Sequence, residues 1–191
     1  DGILVGGSSV DSNGYEKRIK IIKQSTSMPM MLFPGSSKQI TRHINTILYL
    51  NLISGRNPEY LIGEHIKSAL KIHKISIETI PTAYILLDGG IKSSVEIATN
   101  TEPIPMEKHS TVLSHALAGQ YLGKSFIFLE CGSGAKKHAT EDLLTYLKMY
   151  IKIPLIVGGG IHSPSSAFKL IKSGADYIVS GTKIENLPPL N

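Results

Sequence analysis

Two apolar runs near the C-terminal end of the chain each finish in glycine. Residues 155–157 run into Gly158-Gly159-Gly160, and residues 177–179 run through Ser180 into Gly181-Thr182. Because glycine has no side chain, it lets an anion approach the backbone N–H groups closely. In β/α barrels a phosphate site forms in the loops that follow strands 7 and 8. The pattern therefore predicts a site for a phosphorylated substrate.

A carboxylate ends another apolar run. Glu130 follows residues 125–129 and precedes Cys131-Gly132-Ser133-Gly134. At the carboxyl end of a strand, Glu130 can accept a proton from an attacking hydroxyl or hold that hydroxyl in position. The alternative is a structural ion pair with a lysine. Cys131 is not expected to be a nucleophile, since a neighbouring carboxylate raises the pKa of its thiol.

Two further polar groups are candidates at loop positions. Ser8 follows Gly6-Gly7 at the end of an apolar run, where its hydroxyl can bind a metal or a diphosphate, or cap a turn. Ser133 can donate to a phosphate or close a turn. The seven histidines show no metal-ligand spacing on one face.

Composition limits the class of protein. The chain has 191 residues, of which 41% are hydrophobic and 18% charged, so residues 1–191 are predicted to form one domain. The single cysteine excludes an internal disulfide, and no apolar run approaches the roughly 20 residues of a membrane span. The net charge of +5 fits anionic substrates or an acidic membrane surface, although solvated lysines on helix faces are the simpler explanation. No basic stripe with interleaved aromatic residues suggests nucleic acid.

The elements that must position these residues alternate between strands and helices. The near-continuous apolar runs indicate strands buried on both faces, and therefore an α/β fold with a parallel sheet. Strands are predicted at residues 2–7, 28–33, 46–52, 82–87, 125–130, 153–157 and 177–179. Helices are predicted at residues 15–24, 58–73, 109–122, 141–150 and 163–173.

Three segments carry more specific expectations. The helix at 58–73 places Ile62, Ile66, Ala69 and Leu70 on one face. Residues 41–44 are too short for a helix. The polar stretch 89–105 is predicted to be either a flexible cover over the site or an ordinary surface loop.

The strand count indicates a β/α barrel that lacks one unit. An eight-fold barrel usually needs about 250 residues, and this chain has seven predicted strands. Because it opens directly inside a strand, we expect the first strand and helix to be absent from this chain. An open doubly wound sheet is the alternative architecture.

The ordered motifs resemble those of the geranylgeranylglyceryl phosphate synthases, archaeal prenyltransferases related to the bacterial PcrB proteins. The similarity extends over essentially the whole chain. The matching segments are Gly6-Gly7-Ser8, Leu32-Phe33-Pro34-Gly35, Ser54-Gly55-Arg56-Asn57-Pro58, Pro103-Ile104-Pro105, Tyr121-Leu122-Gly123, Leu129–Ala135, Ile156–Ile161 and Ser180-Gly181-Thr182.

The resemblance implies a modified (β/α)₈ barrel whose third helix is lost or replaced. It also implies a reaction, in which the sn-3 hydroxyl of sn-glycerol 1-phosphate attacks C1 of geranylgeranyl diphosphate and diphosphate leaves. Mg²⁺ would neutralise charge on the leaving group. The product is the first ether of an archaeal lipid. The resemblance further implies a homo-oligomer in the cytoplasm, with peripheral contact to a membrane left open.

The resemblance also assigns roles to particular residues. Glu130 would orient or deprotonate the attacking hydroxyl, and Ser8 would help to place Mg²⁺ together with an aspartate from the family's first strand, which this sequence does not contain. The glycerol phosphate would contact Phe128, Leu129, Cys131, Gly132, Ser133, Gly134, Gly158, Gly159, Gly160, Gly181 and Thr182. Family members usually carry tyrosine where this chain has Phe128, so one hydroxyl donor is absent here.

Other functions stay open at this point. A related PcrB-type enzyme would use a heptaprenyl donor, since prenyl length depends on how deep the groove is. Expected walls of that groove are Tyr60, Leu61, Tyr84 and Ile91. An isomerase or lyase with a barrel phosphate site also explains the paired glycine runs, and so does a non-catalytic scaffold for a nucleotide or flavin phosphate.

Overall fold

The computed structural model describes residues 1–8, 10 and 13–182 of the chain. Seven parallel strands form one sheet in which each strand pairs with its neighbours in chain order. They are β1 (Ile3–Val5), β2 (Met30–Leu32), β3 (Thr46–Leu52), β4 (Glu78–Leu86), β5 (Phe126–Glu130), β6 (Leu155–Gly158) and β7 (Tyr177–Val179). The prediction of a barrel-like α/β fold is confirmed. The doubly wound alternative is wrong, because the strand order never reverses.

Helices connect most of the strands. They are α1 (Tyr15–Ser25), α2 (Glu64–Ile75), α3 (Ser94–Thr99), α4 (His109–Tyr121), α5 (Glu141–Lys148) and α6 (Pro164–Lys172). Between β2 and β3 the chain forms only a short 3₁₀ turn at Ser37–Gln39, which confirms the reduced helix expected there. A π-helical turn at Glu59–Gly63 leads into α2. Within the described ranges, no helix has both the length and the apolar character that crossing a bilayer requires.

The central strands β4, β5 and β6 are buried on both faces, and successive side chains of each strand point to opposite sides. On β4, Tyr84 and Leu86 face the interior of the curled sheet, whereas Ala83 and Ile85 pack against helices. The interior cluster of buried side chains comprises Leu48, Leu52, Tyr84, Leu86, Phe128 and Ile156. The interior therefore receives side chains from β3, β4, β5 and β6, and the carboxyl ends of these strands converge above it.

The predicted apolar face of α2 lies on the outside of the protein. Ile66 is 68% exposed and Leu70 is 72% exposed, and Ala69 is exposed as well. The helix is anchored instead through the buried residues Ser68 and Ile72. Its apolar stripe therefore has no packing partner among the described residues.

The polar stretch 89–105 is folded rather than a plain surface loop. It contains α3, whose N-terminus is closed by a capping box between Ser93 and Glu96. Beyond α3 the chain returns to β4, where the Ile104 N–H donates to the Leu86 carbonyl at 2.9 Å. The stretch is thereby attached to the same end of the sheet as Glu130.

Candidate functional site

The Glu130 carboxyl lies buried at the carboxyl end of β5. Its side chain is oriented by the Gly132 N–H, which donates to Oε1 at 2.7 Å. Burial raises the pKa of Glu130 to about 7, and the hydrogen bond from Gly132 opposes part of that rise. A carboxyl group with a pKa near neutrality can both accept and return a proton.

The first glycine run surrounds this carboxyl. Gly158 pairs with Glu130 in the sheet, and a Cβ at position 158 would lie 2.7 Å from Glu130 Oε2 and 2.9 Å from Phe128 Cε2. At Gly159, where φ is +80°, a Cβ would lie 2.7 Å from Glu130 Oε1. These glycines are therefore required by the packing of the chain itself. An anion-binding role for the same backbone stays a prediction.

The other glycine turns lie beside the first. Ser133 Oγ is 3.0 Å from Thr182 Oγ1, so the loop after β5 meets the end of β7. Gly132 has a φ of +95° and would place a Cβ 2.6 Å from Ser93 Cβ. The turns after β5, β6 and β7 thus share one rim, and Gly181 is exposed there. The expected convergence of the glycine-ended turns beside Glu130 is borne out by the geometry.

Two of the predicted phosphate contacts do not face this rim with their side chains. Leu129 and Cys131 are buried in the cluster between the sheet and the helices. The Cys131 N–H donates to the Gly158 carbonyl at 3.1 Å, so the strand ladder uses it. Burial and the Glu130 charge raise the pKa of Cys131 to about 12, which agrees with the expected unreactive thiol.

An aromatic cluster joins Glu130 to a neighbouring apolar cleft. Phe128, two residues before Glu130 on the same face of β5, is fully buried. Its ring centroid lies 5.4 Å from that of Phe33 and 5.3 Å from that of Tyr84. Both partners line the cleft. Burial, and after it the Glu130 charge, raise the pKa of the Tyr84 hydroxyl.

The cleft has a volume of about 100 Å³ and mainly aliphatic and aromatic walls. Tyr60 and Tyr84 line it as expected, whereas Leu61 and Ile91 do not. His65 was not anticipated from the sequence; it lines the cleft, and burial lowers the pKa of its imidazole. The cleft lies between the loops after β1 and β2, α2 and α3.

Ser8 lies at the end of the cleft, on an exposed loop that Gln39 holds in place. The Gln39 Oε1 accepts hydrogen bonds from the N–H groups of Gly7 at 3.3 Å and Gly35 at 3.0 Å, and Nε2 donates to the Gly7 carbonyl at 2.8 Å. Sequence reasoning missed Gln39, because a lone glutamine in a short connection has no periodic pattern. The sequence feature that could have indicated it is the pair of glycine turns at Gly7 and Gly35, because their backbone polar groups need hydrogen-bond partners.

The predicted magnesium site does not fit the described residues by themselves. These residues contain no group of three or more His, Cys, Asp and Glu side chains that could hold a metal ion. Ser8 supplies one hydroxyl, and the carboxylate of Glu64, which also lines the cleft, accepts a hydrogen bond from the Ser37 N–H. Mg²⁺ binding therefore stays a prediction from the family resemblance.

The amino-acid sequence is similar to those of known proteins. The model of the PcrB family matches residues 1–189. A geranylgeranylglyceryl phosphate synthase of Zunongwangia profunda is 46% identical over 184 residues, covering 96% of this chain and 79% of the relative. The synthase of Pyrococcus horikoshii is 42% identical over 191 residues, covering 100% of this chain and 74% of the relative.

A solved structure extends the similarity to three dimensions. The crystal structure of (S)-3-O-geranylgeranylglyceryl phosphate synthase from Thermoplasma acidophilum, in complex with its substrate sn-glycerol-1-phosphate, superposes with a TM-score of 0.92. The two sequences are 38% identical, and the match covers 98% of this chain and 75% of the other. The fold and the sequence motifs are thus both similar to those of geranylgeranylglyceryl phosphate synthases.

Proposed function

The chain belongs to the PcrB family, and we propose that it joins the sn-3 hydroxyl of sn-glycerol 1-phosphate to C1 of geranylgeranyl diphosphate. The observation that carries the proposal is the position of Glu130. Its buried carboxyl lies beside three glycine-ended turns on one side and an aromatic cluster leading to an apolar cleft on the other. The phosphate of one substrate and the apolar chain of the other can thus bind on either side of Glu130, which accepts the proton.

The chemical step is a substitution at an allylic carbon. The hydroxyl oxygen of glycerol phosphate forms a bond to C1, while the bond from C1 to the diphosphate oxygen breaks and its electron pair leaves with diphosphate. The hydroxyl proton passes to Glu130. Since the pKa of Glu130 is about 7, a large fraction of the enzyme holds the basic form at neutral pH.

The two substrates would occupy different halves of the site. The phosphate of the acceptor would accept hydrogen bonds from backbone N–H groups of the turns that contain Gly132, Gly159 and Gly181, and from the hydroxyls of Ser133 and Thr182. Those two hydroxyls are 3.0 Å apart and hydrogen-bonded to each other, so both are close enough to contact the same anion. Leu129 and Cys131 would contribute through backbone alone. The prenyl chain would lie in the cleft past Tyr84.

The proposal includes a Mg²⁺ requirement, a homo-oligomeric state and a cytoplasmic location. Mg²⁺ is expected from the family resemblance, with Ser8 as a contributor to its site. Turnover measured with EDTA and again after Mg²⁺ is restored tests the requirement. Activity that persists in EDTA would contradict it.

The decisive experiment is a product assay with matched variants. Wild-type protein incubated with labelled geranylgeranyl diphosphate and sn-glycerol 1-phosphate should form a labelled ether. Absence of this ether would contradict the proposed activity. Glu130→Gln should lower kcat by about 10²–10⁴-fold, the usual contribution of a general base. Asp88→Asn is the matched control, because Asp88 also follows a strand but is exposed. Repeating the assay with a heptaprenyl donor tests the related PcrB-type specificity.

A further inference from the structure

Exposed apolar side chains lie on the elements that line one side of the cleft. Ile62, Ile66 and Leu70 follow one face of the π-helical turn and α2, where they are 55%, 68% and 72% exposed. Ile97 on α3 is 64% exposed. We call these four side chains the α2–α3 patch. Large exposed apolar groups that cluster in this way usually mark an interaction surface.

The elements that carry the α2–α3 patch also line the cleft. Tyr60 lines the cleft from the π-helical turn, and Ala98 lines it from α3. The Tyr60 hydroxyl donates to the Ala98 carbonyl at 3.0 Å, so the two elements are joined at its rim. Ile62 and Ile97 lie within two residues of this contact. A long apolar ligand entering between these elements would therefore pass along the patch.

Basic side chains flank the apolar stripe. Lys71 and Lys74 are exposed on α2 and form no ion pair with any residue that the structure describes. The acidic groups nearby are already engaged, since Lys67 pairs with Glu64 on α2 and with Glu59 on the π-helical turn. An amphipathic helix with an apolar face and free lysines beside it is typical of contact with an anionic lipid surface.

We propose that the α2–α3 patch docks on a lipid surface with anionic headgroups, and that the mouth of the cleft thereby opens toward the lipid. The choice of occupant rests on the proposed function, since a prenyl diphosphate partitions into a bilayer through its hydrocarbon chain. Four side chains also fall well short of the about 20–30 residues a side that a stable protein interface uses. A membrane requires no such matching surface.

Vesicle co-sedimentation tests the proposal without turnover. Wild-type protein should sediment with vesicles that contain anionic lipid, and less with neutral vesicles or at high salt. The double variant Ile66→Ser/Leu70→Ser should lose at least about tenfold in vesicle affinity, because it removes two apolar anchors. Lys71→Glu/Lys74→Glu should lose the preference for anionic lipid. Phe168→Ser/Ile171→Ser on α6 is the matched control, as both side chains are more than half exposed elsewhere on the surface.

The outcomes separate this proposal from the proposed function. With detergent-dispersed substrate the α2 variants should keep wild-type turnover. Absence of turnover in wild type would reject the proposed function alone. Wild-type protein that ignores vesicles, or α2 variants that bind them normally, would overturn the docking proposal. A change of sedimentation coefficient in the α2 variants would overturn it in favour of a second copy of the chain.

Discussion

The Glu130 carboxyl combines two properties that oppose each other. Burial at the end of β5 raises its pKa to about 7, which provides a proton acceptor near neutrality. The same burial penalises the ionised form, so the folded state is less stable once Glu130 ionises. A raised pKa means that full stability is present at low pH and is lost as the pH rises through about 7. Catalytic use and stability are thus in conflict at this one residue.

Glu130→Gln should therefore stabilise the fold while it removes turnover. The amide keeps an oxygen for the Gly132 N–H but carries no charge. A pKa shift from 4.5 to about 7 corresponds to about 3 kcal/mol of unfolding free energy at pH 8. Chemical denaturation at pH 5 and pH 8 should show a variant that is clearly more stable only at pH 8. An equal difference at both pH values would contradict the buried-ionisation explanation.

Gly158 gives the carboxyl its space. In Gly158→Ala the new methyl group would begin 2.7 Å from Glu130 Oε2, so the carboxylate or the Phe128 ring must move. We expect a loss of about 1–3 kcal/mol in unfolding free energy together with a large fall in kcat. Gly123→Ala is the control, because its φ of +74° is strained but no atom lies within 4 Å of the added group. That variant should lose about 1 kcal/mol and keep its turnover.

At the scale of elements, α3 connects the cleft to the catalytic rim. Its capping residue Ser93 lies against Gly132, and its inner side chains Val95 and Ala98 line the cleft. The helix has only six residues, so the capping box with Glu96 carries much of its local stability. Loosening the cap should therefore affect prenyl binding more than the global fold.

Paired cap variants test this role of α3. Ser93→Ala removes the acceptor for the Glu96 N–H, and Ser163→Ala removes the corresponding acceptor in the capping box of α6. Each should cost about 1 kcal/mol of unfolding free energy. Steady-state kinetics should show a raised KM for the prenyl diphosphate in Ser93→Ala alone. Equal KM values in the two variants would show that α3 does not shape the cleft.

The sequence was a better guide to strands than to packing. The bounds of β3 and β7 could be predicted as found, because each strand is an apolar run between breakers. The outward direction of Ile66 and Leu70 could not, since helical periodicity defines a face but not its neighbour. The helix α3 was missed because six residues contain too few turns to show a period.

In the candidate site, too, some residues could be located from the sequence and others could not. Glu130 and the glycine turns could be located from their places at strand ends, since parallel strands deliver their carboxyl ends to one rim. The packing reason for Gly158 depends on the Phe128 ring, which is distant in sequence and adjacent only through the register of β5 and β6. Gln39 depends on contacts across 32 residues of chain to Gly7. Such contacts are products of the fold and have no local pattern.

At the scale of the whole molecule, the sheet divides the site between its two halves. The turns predicted to bind glycerol phosphate follow β5, β6 and β7, whereas the cleft is built mainly from elements between β1 and α3. The two halves meet through the pairing of β4 with β5 and through the rings of Tyr84 and Phe128. Each substrate should therefore stabilise a different half of the sheet.

Hydrogen exchange with sn-glycerol 1-phosphate tests this division. A ligand at 100 times its Kd stabilises the folded state by about 2.7 kcal/mol, and the protection should concentrate in the turns at 132–134, 158–160 and 181–182. Ser133→Ala should reduce both the thermal shift and the protection at 181–182, because the Ser133 hydroxyl lies 3.0 Å from that of Thr182. Ser114→Ala serves as control, since its hydroxyl only bonds within α4. Protection confined to residues before β4 would place the acceptor substrate in the cleft and contradict the arrangement.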